Sequence, residues 1–109
     1  MEMSNNRLLK LIEMLEKNPN DTFLLYAMGI EHMGAQKLDE AEAYFRKVLA
    51  IEPDNIACHY QLAIVLQKTN RDNEAVKILD HGLHLAQKIG DHKTSNEFRS
   101  FMDELIYED

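Results

Sequence analysis

Apolar residues return along this chain at helical spacing, in runs too short to form one long helix. Leu8, Leu11, Ile12 and Leu15 make one stripe between Ser4 and Lys17. Leu24, Leu25, Met28, Ile30 and Met33 make the next, and Ala41, Tyr44, Phe45, Val48, Leu49 and Ile51 a third. Recurrence every three to four residues keeps these side chains on one face of a helix. Gly34 to Leu38 is expected as the turn between the second and third helices, and Asp39-Glu40 place negative charge where the third helix's dipole favours it. Further helices are predicted from about Asn55 to Thr69 and Asn73 to Ile89, with Asn70 to Asp72 as the turn and Gly90 as the stop. A last one, from about Lys93 to Tyr107, has Phe98, Phe101, Met102, Leu105 and Ile106 on one face. Six helices and no strand make the expected fold all-α.

The runs repeat. Pro19 and Pro53 stand 34 residues apart, in the settings Asn18-Pro19-Asn20-Asp21 and Glu52-Pro53-Asp54-Asn55. The same offset links Tyr26 to Tyr60, Ile30 to Ile64 and Ala41 to Ala75, and carries Leu11 to Phe45 to Leu79 and Leu15 to Leu49 to Leu83. A period of this length built from two helices marks a repeat architecture, in which each unit buries its apolar face against the next. The expected organisation is one domain over residues 1–109. It has an N-terminal half-repeat over 4–17, repeats over 22–55 and 56–89, and a capping helix over 93–107.

Within the first period, Leu25, Met28, Gly29, His32, Ala41, Phe45 and Pro53 fall at the spacings of the tetratricopeptide pattern. The second period matches more loosely through His59, Leu62, Ala63, Leu66, Ala75, Leu79 and Gly82, with Gln87 where the proline would be. The chain resembles that family. The resemblance implies a right-handed α-solenoid of antiparallel helix pairs, with close helix approach at the small residues and Phe45 filling the space between. Lacking the proline, the second helix of the second repeat is free to run on through Ala86 to Ile89.

The resemblance also implies that the first helix of each repeat lines a concave groove for a partner segment. Groove positions then fall on Phe23, Tyr26, Ala27, Ile30 and Met33 in the first repeat, and on Ala57, Tyr60, Gln61, Ile64, Gln67 and Lys68 in the second. Aromatic anchors of this kind dominate many interfaces, and an extended peptide or an amphipathic partner helix with hydrophobic side chains would suit them. The alternative is that a terminal helix of the chain already covers these aromatics. Family members that hold a C-terminal carboxylate use basic and amide side chains on these faces. Here Tyr26, Ile30 and Gln61 leave Lys68 as the main cation, so no such clamp is expected.

A formal charge of −7 disfavours nucleic acid as a partner. The single cysteine, Cys58, permits no intrachain disulfide and is expected to be a small buried helix residue. The N-terminus is polar and the apolar positions that follow are interrupted by Lys10, Glu13 and Glu16, so no membrane insertion and a cytoplasmic location are expected. His81 and His84 share a helical face but lack the third and fourth ligands of a zinc site, and are expected as exposed residues. His32 is expected to pack between helices with one nitrogen hydrogen-bonded, and His59 and His92 have no evident companion. The acids Glu97, Asp103, Glu104, Glu108 and Asp109 are expected as a solvated face. Neither a phosphate loop nor a nucleophile setting is present. The expected function is a non-catalytic module or scaffold that binds another protein or peptide without cofactor or metal. Homo-oligomerisation through the groove or a terminal helix is the alternative.

Overall fold

The computed structural model describes residues 2–107, with side chains described from residue 6 onward. Among the described residues there are six helices and no strand. They are α1 (Glu2–Lys17), α2 (Thr22–Gly34), α3 (Leu38–Ile51), α4 (Ile56–Lys68), α5 (Asp72–Lys88) and α6 (His92–Tyr107). They fall into two compact units, Met1–Pro53 and Asp54–Asp109.

In the first unit α2 and α3 form the main helix pair, and α1 packs on α2 more lightly. Leu24, Leu25, Met28, Ala41, Phe45 and Val48 are buried. The approach of α2 to α3 depends on Gly29: a Cβ there would lie 2.7 Å from Phe45 Cδ1 and 2.8 Å from its Cζ, inside any tolerable contact. Arg7 of α1 reaches Glu31 of α2 at 3.3 Å. Leu8, Leu11 and Leu15 are half-buried, whereas Ile12, expected on the same stripe, is exposed.

In the second unit α5 packs against both α4 and α6. Leu62, Leu66, Leu79, Ala86 and Phe98 are buried among others. Gly82 serves α5 as Gly29 serves α2, because an added Cβ would run into the Phe98 ring and come within 3.1 Å of His59 Cβ. Cys58 is a free, buried thiol. On α6 the expected face is correct for Phe98, Phe101 and Leu105, but Ile106 is 53% exposed and the buried polar residue is Ser95. Its hydroxyl donates to the Asp91 carbonyl at 2.8 Å, which is how a polar group enters the core at little cost.

Helix ends follow a rule that periodicity does not display. Asp21, Asn55 and Asp91 each accept a hydrogen bond from the backbone N–H three residues on, at 3.0–3.1 Å, before α2, α4 and α6. Helices α3 and α5 lack a side-chain cap and instead carry acids in their first turn. At the C-termini of α2, α4 and α5, the residues Gln36, Asn70 and Gly90 take φ values of 63°, 63° and 75°. Each is followed by a backbone N–H that reaches back five residues, Lys37 to His32, Arg71 to Leu66 and Asp91 to Ala86. The expected turn at Gly34 to Leu38 is therefore displaced: Gly34 is still helical, and Gln36 adopts the left-handed conformation. Helix α3 stops at Ile51 ahead of Pro53, whereas α5 continues to Lys88.

Candidate functional site

The residues expected to bind a partner lie on α2 of the first unit and α4 of the second. On α2, Phe23 is 76% exposed, while Tyr26, Ala27, Ile30 and Met33 are half-buried. The Tyr26 ring tilts against Phe45 with centroids 5.7 Å apart, so part of it is committed to the α2–α3 pair. On α4, Tyr60, Gln61 and Ile64 are half-buried, and Ala57, Gln67 and Lys68 are exposed.

Tyr60 does not stand free. Its ring meets Phe98 edge-on at 5.2 Å and Phe101 at 5.4 Å, both from α6. One edge of this cluster is dry core; the other opens into hollows between α4 and α6. The largest, of about 480 Å³, has Tyr60, Ile64 and Phe101 as its apolar part and exposed Lys93, Glu97, Ser100 and Glu104 around it. A second, of about 390 Å³, shares Tyr60 and Glu97 and extends to Ala57, Gln61 and Asp91. A third, of about 450 Å³, shares Glu104 and reaches Gln67, Asp103 and Tyr107. The hollows share these lining residues and follow one another as a trough along the two helices.

Burial, and then the negative charges of Glu97 and Glu104, raise the Tyr60 phenol above its ordinary pKa of 10.0. Tyr60 is therefore a neutral hydrogen-bonding group at any physiological pH. On α6, the backbone N–H of Thr94 and then its side chain hold the Asp91 carboxyl below the usual carboxylate range.

Helix α6 was expected as a cap, or as the terminal helix that covers the groove aromatics, and it does pack on Tyr60 through Phe98 and Phe101. The helix supplies most of the trough wall. The signal was available at Asp91, which caps α6 as Asp21 and Asn55 cap α2 and α4.

The histidines divide. His32 is half-buried, donates from Nδ1 to the Met28 carbonyl at 2.8 Å, and lies 5.2 Å from the Tyr44 ring, as expected. His59, expected to have no companion, is buried with its ring 4.9 Å from that of exposed His81. Two imidazoles fall short of a metal site, and no cluster of three or more His, Cys, Asp or Glu able to hold a metal occurs among the described residues. Nor is any helix among them long and apolar enough to cross a membrane. Glu108 and Asp109 lie outside the described residues.

A family model of the tetratricopeptide repeat matches residues 32–91, more than half of the chain. The chain belongs to the tetratricopeptide repeat family. A protein from Bordetella parapertussis shares the tetratricopeptide-type fold with a TM-score of 0.82 at 24% identity, over 94% of this chain and 89% of that one. A tetratricopeptide repeat domain protein from Salinibacter ruber gives 0.74 at 24% identity, over 80% and 88%. Among curated relatives, the peptidyl-prolyl cis-trans isomerase FKBP4 of Mus musculus is 31% identical over 78% of this chain. The tetratricopeptide chain spans only 21% of that relative's length.

Proposed function

We propose that this tetratricopeptide protein is a non-catalytic interaction module that takes a peptide or partner helix of another protein. One observation carries the proposal. The α4–α6 trough has an apolar floor, made by half-buried Tyr60 and Ile64 and the edge of buried Phe101, at the face where the family pattern puts its ligand. The floor is rigid, because Tyr60 is braced by two rings of α6. Rigid aromatic surface loses little entropy on binding. On α2, Phe23, Ile30 and Met33 give the first unit a binding face of its own. We place this activity in the cytoplasm, where the lone buried thiol of Cys58 would stay reduced.

The test is an NMR titration with a panel of synthetic peptides carrying leucine or phenylalanine anchors. Binding should move the amides of Tyr60, Ile64 and Ser100. Ile64→Ser should weaken the best peptide about tenfold, roughly 1.4 kcal/mol, with helicity unchanged. Peptides that move none of these amides, or an Ile64→Ser protein that binds as tightly as the parent, would overturn the reading. Tyr26 and Tyr60 are poor probes, since both are braced into the packing.

Self-association is the second reading, favoured by Ile106 and Tyr107, which are 53% and 78% exposed on α6. A monomeric mass in sedimentation, unaffected by Ile106→Ser, would dismiss it. Phe98 and Phe101 are unsuitable for that test because both are core residues.

A further inference from the structure

Resting on the interaction reading above, we infer that the occupant of the α4–α6 trough is a basic amphipathic helix. Its apolar side chains would sit on Tyr60, Ile64 and Phe101, and two Lys or Arg residues, seven apart, would face Glu97 and Glu104.

The hollow selects this partner by shape and by charge. Its apolar part is continuous from Tyr60 to Phe101 and calls for aliphatic or aromatic side chains. Its charged border is lopsided. Of the charged residues lining the three hollows, Asp91, Glu97, Asp103 and Glu104 are acids and Lys93 is the base. Neither Glu97 nor Glu104 is held in an ion pair among the described residues, and both are exposed. Both charges reach the same point from along α6, since both raise the Tyr60 phenol after burial does. Carboxylates along the border of an apolar floor attract a cation and reject an anion, and the low-dielectric wall strengthens the effect.

Spacing sets the partner's form. Glu97 and Glu104 are seven residues apart on one helix, about 10.5 Å along its axis at 1.5 Å per residue. A helix laid along the trough repeats that interval between its own residues seven apart and places the intervening turn over Ser100 and Phe101. Helix-in-groove binding of this kind anchors through residues three, four and seven apart.

The test uses fluorescein-labelled helical peptides with identical leucine anchors and two flanking residues, seven apart, that are both Arg or both Glu. The Arg peptide should bind at least about tenfold tighter, shift the amides of Ile64 and Ser100, and weaken as salt rises from about 20 to about 200 mM. Glu97→Lys with Glu104→Lys should reverse the preference. Glu13→Lys with Glu16→Lys, exposed on α1 of the other unit and equal in net charge change, should keep it. Loss of the preference in this control, or its survival in the Glu97/Glu104 variant, would overturn the inference in favour of bulk charge attraction. Equal binding of the Glu peptide at the same amides would overturn the basic partner and leave the interaction reading standing. No movement of those amides with either peptide would overturn both.

Discussion

His59 shows how much a single residue's environment can demand. Its Nδ1 donates to the Asn55 carbonyl at 2.8 Å, which fixes the neutral tautomer, and its ring is 2% exposed against the edge of His81. Burial is the largest influence on it and lowers its pKa below 6.5. The Asn55 hydrogen bond and Asp54 oppose the shift, while His81 adds to it. A base whose pKa falls on folding binds its proton more readily in the unfolded chain, so acid favours unfolding. The contribution is complete above pH 6.5. It declines as pH falls below that value towards the folded-state pKa, at up to about 1.4 kcal/mol per pH unit. Urea unfolding at stepped pH should show that slope in the parent protein and lose it in His59→Gln, whose side chain does not titrate. A slope that survives the substitution would assign the effect to other groups.

At the level of helix pairs, glycine decides how closely two elements approach. Gly29 and Gly82 each face a buried phenylalanine, Phe45 and Phe98, with no room for a methyl group. Gly34, at the end of α2, has open space around its missing Cβ. Gly29→Ala should therefore destabilise the protein by about 1–3 kcal/mol through forced repacking. Gly34→Ala should be neutral or stabilising by up to about 1 kcal/mol, because alanine is the better helix former. Equal effects in chemical denaturation would contradict this account. The family spacing marked Gly29 and Gly82, but whether a ring or a backbone faced them required the packed pair.

For the whole chain, charge is the property that spans both units. A formal charge of −7 means that acids outnumber bases, and ion pairs such as Arg46–Glu42 at 2.8 Å leave that excess in place. Uncompensated like charges repel in the compact state and are screened by salt. The melting temperature should therefore rise by a few degrees between about 20 and about 200 mM sodium chloride. A fall would mean that specific ion pairs outweigh the general repulsion.

The sequence by itself determined the elements and their pairing. Helical spacing of leucine, alanine and methionine, and the 34-residue offset from Tyr26 to Tyr60 and Ala41 to Ala75, are properties of the chain alone, because one helix turn fixes which residues share a face. Helix ends were legible at Gly90 and at Asn70, a residue that tolerates the left-handed region, but not at Gln36, where cooperative backbone hydrogen bonding holds a residue in a conformation its side chain does not favour. The candidate site was legible by halves. Tyr60 and Ile64 lay on a predicted face, but Phe101, Glu97 and Glu104 join them only because α5 carries α6 back alongside α4. His59 beside His81, and the buried Ser95, were likewise decided by packing. Periodicity states which way a side chain points from its own helix, and only tertiary structure decides what it then meets.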